Sequence, residues 1–267
     1  MSTAAATLSN EPILLREEDG PVVTLTLNRP AQYNALSEEM LAALQEALDE
    51  IAADEGLRVL VLAANGKAFC AGHDLKQMRA QPEQAYYQEL FDRCSHMMLT
   101  LTEMPQAVIA KVHGLATAAG CQLVATCDLA IAGESARFAT SGINVGLFCS
   151  TPAVAVSRNL GRKKAFEMLM TGDFVDAATA AELGLINRAV PDGELDAAVA
   201  DLAGRITGKA PVAVRTGKQL FYKQLETDMK GAYEQAAQAM ACNMMAEDTS
   251  EGIDAFIEKR PPRWQVD

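Results

Sequence analysis

Two stretches decide the reading: Lys67-Ala-Phe-Cys-Ala-Gly-His-Asp-Leu75 and, further along, Gly114-Leu-Ala-Thr-Ala-Ala-Gly-Cys-Gln-Leu123. Each follows a run that reads as a buried strand, Val59 to Ala63 (VLVLA) and Val108 to Val112, and each passes through small residues that let a ligand come close to the backbone. After Ala71 and Gly72 the main-chain N–H of His73 is offered outward. The second turn, Ala118-Ala119-Gly120, opens a short helix through Ala125. There the N–H of Ala119 would point out of a helix N-terminus, where the dipole favours negative charge. Two such donors converging about 3 Å from one oxygen make an oxyanion hole for an enolate.

Outward from these stretches, Val22 to Leu27 (VVTLTL) reads as a strand between Gly20-Pro21 and Asn28-Arg29-Pro30. Ser37 caps a helix whose apolar stripe is Met40, Leu44, Ala47, Leu48 and Ile51, with Glu38 and Glu39 in its first turn. Leu129 to Ala132 is a further strand, and Leu185 to Val190 a last short one. A helical stretch runs to about Thr102. From Thr151 onward helices dominate, at about 152–160, 162–170, 177–183 and 194–207, with a long one over 225–247. Strands alternating with helices make an α/β protein. The division expected is a flexible arm over 1–10, a core over 11–200 and a helical oligomerisation and lid region over 201–267. The methionines of that last region, Met229, Met240, Met244 and Met245, read as core or subunit packing.

The chain has 267 residues, enough to bury a core without disulfide or metal. A net charge of −12 argues against a nucleic-acid surface, and no apolar run approaches membrane-spanning length. None of the six cysteines (Cys70, Cys94, Cys121, Cys127, Cys149, Cys242) forms a CxxC pair; they read as free thiols in a reducing compartment. No basic residue precedes Arg16, so neither a secretory signal nor an Arg-rich transit peptide is evident, and the expectation is a cytoplasmic protein. No His, Cys, Asp and Glu grouping has metal-ligand spacing.

The order Leu27-Asn-Arg-Pro30, Asn34-Ala-Leu36, the two stretches quoted above, Cys127-Asp128, Ala136-Arg-Phe138, Asn144-Val-Gly146, Thr171-Gly172, Ala177 to Leu185 and Ala255-Phe-Ile-Glu-Lys-Arg260 resembles the enoyl-CoA hydratase/isomerase (crotonase) family, over about residues 12 to 263. The resemblance implies a spiral of repeated ββα units with a C-terminal helical trimerisation region, assembled as a homotrimer or a dimer of trimers. It implies an acyl-coenzyme A thioester as substrate, with coenzyme A part of that substrate and no separate cofactor. It implies that His73 and Ala119 supply the oxyanion amides. It further implies that Ala71, His73, Asp74, Leu75 and Lys76 line the path of the coenzyme, and that Phe256 and Lys259 reach it from the C-terminal region.

Hydratases of that family carry two catalytic glutamates. The matching positions here are Gln122 and Gly142. Glutamine can hold a water but cannot accept its proton, and glycine can do neither. Positioned acid–base groups contribute about 10²–10⁴-fold each, so hydration should be slow. The His73 ring could titrate near working pH, or it could face solvent or stack on the ligand; Asp74 reads as a helix cap. Cys149, Ser150 and Ser141 fall near the roof of the pocket, while His96 and His113 read as packing or surface groups.

Three functions follow. The first is a family enzyme acting on an enoyl-CoA. The second is a malonyl-type decarboxylase, since Ala71-Gly-His-Asp74 and Ile143-Asn-Val-Gly146 resemble methylmalonyl-CoA decarboxylase, although Cys149 stands where that relative has a roof tyrosine. The third is a non-catalytic acyl-CoA-binding protein. Asn144 to Pro152 and Phe221-Tyr-Lys-Gln224 resemble the enoyl-CoA-hydratase-domain-containing branch of the family, which supports the first and third.

Overall fold

The structure, a computed structural model, describes residues 11–264; the arm assigned to 1–10 lies outside them. Strand β1 (Leu14–Asp19) pairs antiparallel with β2 (Val22–Leu27), and β2 runs parallel to β3 (Val59–Ala64). Helix α1 (Glu38–Ala53) crosses between them; Ser37 Oγ accepts the Met40 N–H at 3.2 Å, and Met40, Leu41, Leu44, Leu48 and Ile51 are buried. This is the cap and stripe read from the sequence. Strand β1 is absent from that reading because its last four residues, Arg16 to Asp19, are charged and exposed, as suits a strand at the sheet edge.

A pair of strands then recurs. Strand β3 is followed by β4 (Ala68–Cys70), with helices α2 (Leu75–Ala80) and α3 (Gln84–Glu103) after it. Strand β5 (Ala107–Val112) is followed by β6 (Leu115–Thr117) and helix α4 (Ala119–Thr126), and β7 (Leu129–Gly133) by β8 (Arg137–Ala139). The chain continues through α5 (Ser150–Asn159), α6 (Arg162–Thr171), β9 (Val175–Asp176), α7 (Ala177–Leu183), β10 (Arg188–Val190), α8 (Leu195–Thr207), α9 (Pro211–Leu225), α10 (Met229–Met244) and α11 (Glu247–Glu258). The first strand of each pair enters a six-stranded sheet, order β1-β2-β3-β5-β7-β10, and the second enters a four-stranded sheet, order β4-β6-β8-β9. That is the spiral of ββα units. Position 200, drawn as a boundary, falls inside α8.

The large sheet is covered on both faces, so its inner strands β3 and β7 are apolar throughout. Leu60 and Leu62 of β3 face the main core with α1 and α3, while Val59 and Val61 face a smaller cluster closed by Leu195, Val199 and Ala203 of α8. The long helix expected over 225–247 is corrected. Pro211 starts α9 at a position where a missing N–H costs nothing, the chain breaks after Leu225, and Asp228 restarts it by accepting the Gly231 N–H at 2.8 Å. A half-buried trio ties α9 to the sheet: Lys218 Nζ lies 2.8 Å from Asp128 Oδ2, and the Tyr222 hydroxyl donates to Asp128 Oδ1 at 2.7 Å.

Candidate active site

Strand β4 ends in Cys70, and the chain turns at Gly72 with φ +90°. A Cβ at Gly72 would stand 2.9 Å from the Cβ of Ala118 and 3.1 Å from the Ala119 nitrogen. The two stretches quoted first therefore touch, and only glycine allows it. Ala118 holds φ 50°, ψ −121°, a conformation costing about 1–3 kcal/mol for a residue with a Cβ, and it delivers Ala119 as the first residue of α4. A Cβ at Gly120 would lie 2.1 Å from the Cys70 carbonyl oxygen, so the helix start rests directly on β4.

A third segment completes the frame. Asn34 is fully buried; its Nδ2 donates to the carbonyls of Asn65 and Ala68, each at 2.8 Å, and its Oδ1 accepts the Arg29 N–H. The Ala71 N–H donates to Tyr33, and the Leu36 N–H to Gly72. These bonds hold residues 33–36 along the Gly72 turn.

Between the segments lies a cavity of about 610 Å³. His73 and Ala119 both line it, as do Ala71, Asp74, Leu75, Lys76, Gly142 and Cys149. Among the described residues neither the His73 nor the Ala119 amide donates to another group of the chain. The arrangement offers two free backbone donors to one enclosed space. Asp74 lines the cavity but its Oδ1 accepts the N–H groups of Lys76 and Gln77 at 2.9 and 3.1 Å, which is the capping role read from the sequence.

The His73 ring does not face solvent. Both ring nitrogens are buried and unpartnered, and the ring meets Phe91 edge to face at 5.4 Å. Burial pushes its pKa below the ordinary 6.5, opposed by the Leu36 carbonyl, which forms no hydrogen bond with it. The imidazole is thus neutral at neutral pH. His113 Nε2 is bonded to the Gly66 carbonyl at 2.9 Å, and His96 is exposed; neither lines the cavity.

The two positions that carry glutamates in hydratases part company here. Gly142 lines the cavity, and a Cβ on it would meet Cys149 Sγ at 2.8 Å and the Leu147 carbonyl at 2.7 Å. Burial raises the Cys149 pKa, opposed by the Gly142 and Ile143 amides, so this thiol stays protonated. Gln122 is absent from the cavity lining and faces a neighbouring one. Phe256 and Lys259 are not brought to the cavity either; Phe256 is 85% exposed and Lys259 is the left-handed cap of α11. Residues missed in the sequence are Phe91 and Thr117, whose hydroxyl pairs with Ser141 at 2.6 Å. Both lie in regular elements, with no local signal of a site.

A two-sheet spiral with two free amides on one cavity is the architecture of an α/β protein of the crotonase type. The model of the family "Enoyl-CoA hydratase/isomerase" matches residues 17–267, and the chain belongs to that family. Among similar proteins, the enoyl-CoA hydratase domain-containing protein 3, mitochondrial, of Mus musculus is 44% identical over 98% of this chain and 88% of its own. The crystal structure of an enoyl-CoA hydratase from Mycobacterium smegmatis superposes with a TM-score of 0.94 at 60% identity, covering 95% of this chain and 99% of the other. The human enoyl-CoA hydratase domain-containing protein 3 gives 0.92 at 42% identity, covering 95% and 100%. The expectation of a cytoplasmic protein is corrected: it rested on the composition of the first residues, and the mouse and human relatives are named as mitochondrial.

Proposed function

We propose that the cavity takes an acyl-CoA thioester, whose carbonyl oxygen is held by the amides of His73 and Ala119. The carrying observation is the contact of the Gly72 turn with Ala118 and Ala119. A carbonyl gathering negative charge there gains from both donors and from the start of α4. Coenzyme A enters as part of the substrate, passing Asp74, Leu75 and Lys76 at the cavity wall. The chain acts as an enzyme of the hydratase/isomerase type, slow at hydration, because among the described residues Asp74 is the one carboxylate in the lining and is engaged as a cap.

A second reading, a binder without turnover, is favoured by the Cys149 thiol standing against Gly142. Assembly into a homotrimer or dimer of trimers belongs to the same proposal. The exposure of Phe221 and Leu225 on α9, Tyr233 and Met240 on α10 and Met245 at its cap supports it, and Phe256 and Lys259 have a part in binding only by reaching the cavity of a second copy.

The experiment is turnover of crotonyl-CoA beside methylmalonyl-CoA, with binding of both measured by calorimetry and mass by light scattering. Slow hydration with thioester binding is expected. Rates near those of a two-glutamate hydratase would overturn the reading of Gln122 and Gly142; binding without any turnover would select the binder, and CO₂ release from the second substrate a decarboxylase.

A further inference from the structure

At the end of the large sheet where β3 and β5 begin lies a cavity of about 310 Å³, which shares no lining residue with the one under the amides. Two helix ends meet in its wall. Helix α1 stops at Ala53 with no basic residue in its last turn, and Asp54 and Glu55 follow it in the wall. Helix α9 starts at Pro211 with no acidic residue in its first turn. Arg215 stands one turn into α9, and Arg58 donates to the carbonyls of Thr207 and Lys209 just before it, at 3.2 and 2.7 Å. Each helix end thus carries side chains of the sign its dipole already has, negative at α1 and positive at α9.

Among the described residues Arg215 and Glu55 make neither a hydrogen bond nor an ion pair, and Asp54 accepts only the Gly56 N–H, at 2.9 Å. Burial lowers the Arg58 pKa; Asp248 opposes that shift and the charge of Arg215 adds to it. Gln106 belongs to the same wall and is 2% exposed. Its Nε2 donates to the Ile51 and Asp54 carbonyls at 2.6 and 3.0 Å, which fixes the carboxamide at the end of α1, and its Oε1 is buried with no partner. An orphaned acceptor is costly unless something supplies a donor.

We propose that this cavity binds a small zwitterion, an ammonium and a carboxylate on one short carbon frame, as in a free amino acid. The carboxylate lies by Arg58, Arg215 and the start of α9. The ammonium lies by Asp54 and Glu55 and donates to Gln106 Oε1. A lone anion would face the two carboxylates and a lone cation the two guanidinium groups, whereas a zwitterion complements both ends. The site is independent of the thioester reading.

The test is calorimetric titration of the full chain with L-leucine and with γ-aminobutyrate, which hold their charges at a short and a longer spacing. N-acetyl-L-leucine, L-leucinamide and inorganic phosphate are the single-sign controls. One of the zwitterions should bind about tenfold or more tighter than every control. Arg215→Gln removes a side chain that bonds to nothing in the protein, so thermal unfolding should be unchanged while zwitterion affinity falls about 10–100-fold. Asp54→Asn with Glu55→Gln keeps an oxygen for the Gly56 N–H; it should weaken the zwitterion and tighten N-acetyl-L-leucine. Failure of both zwitterions to bind overturns the proposal. So does a control that binds as tightly as they do, which would make the site one for a single charge. Zwitterion affinity that survives Arg215→Gln overturns the placement at this cavity.

Discussion

Cys149 Sγ stands 2.8 Å from the place a Cβ on Gly142 would take. Glycine at this position is therefore part of a packed arrangement, with a thiol seated against it. Gly142→Ala should cost about 1–3 kcal/mol in urea unfolding, as overpacking does. Adding Cys149→Ala should recover part of that. Full recovery is not expected, because the Leu147 carbonyl at 2.7 Å is backbone and stays.

The oxyanion reading rests on amides, so a variant that removes only an amide tests it most directly. Ala119 is the first residue of α4, so its N–H belongs to no bond of the helix ladder, and the strain that a proline puts on Ala118 at φ 50° is read separately as a loss of stability in urea unfolding. Ala119→Pro deletes the N–H and should lower turnover, or thioester affinity if turnover is absent, by about 10²–10³-fold. His73→Ala keeps its amide and should lose far less. Equal losses in the two variants would place the work in the His73 ring instead.

The buried His73 ring gives a signed pH dependence. Its folded pKa lies below the ordinary 6.5. Between the two values the unfolded chain binds a proton that the folded chain refuses, so stability is fully present above pH 6.5 and is lost as pH falls toward the folded value. The slope from this group is at most about 1.4 kcal/mol per pH unit. Thermal unfolding between pH 7.5 and 5 should show it, and His73→Phe should flatten that part of the curve.

Lys218 and Asp128 form a salt bridge with side chains only 6% and 14% exposed. Asp128 Oδ2 also accepts the Val108 N–H, and Lys218 Nζ donates to the carbonyls of Leu101 and Gln106, each at 2.7 Å. Burial lowers the Lys218 pKa, and Asp128 opposes that shift. Asp128→Ala leaves a buried cation unpaired and should cost about 3–5 kcal/mol. Tyr222→Phe, which removes one hydroxyl from the same carboxylate, should cost about 1 kcal/mol. Urea unfolding of the two variants should show the order as well as the size.

Much of this was legible in the chain. The strand Val22–Leu27 alternates cleanly, and α1 carries both its cap and its stripe in adjacent residues. The turns at Gly72 and Ala118 were legible because small residues after an apolar run mark close approach. The three-residue strands β4, β6 and β8 were not, since so few residues carry no period. The hydroxyl pair of Thr117 and Ser141, and the edge of Phe91 on His73, join residues far apart in sequence. Nothing local to either partner announces them. The division of Gln122 and Gly142 between two cavities was illegible for the same reason: it depends on how α3 and α5 pack over α4.

The seating of Cys149 against Gly142 also sets what a carboxylate at 142 would need. A glutamate there meets the thiol and the Leu147 carbonyl at once, so a change at 142 alone, or at 142 and 149 together, still leaves a backbone contact to relieve. The oxyanion amides are backbone and persist under almost any side chain. In this pocket the thioester grip and the water chemistry are therefore separable: one is written in the course of the main chain, the other in side chains that have to change together.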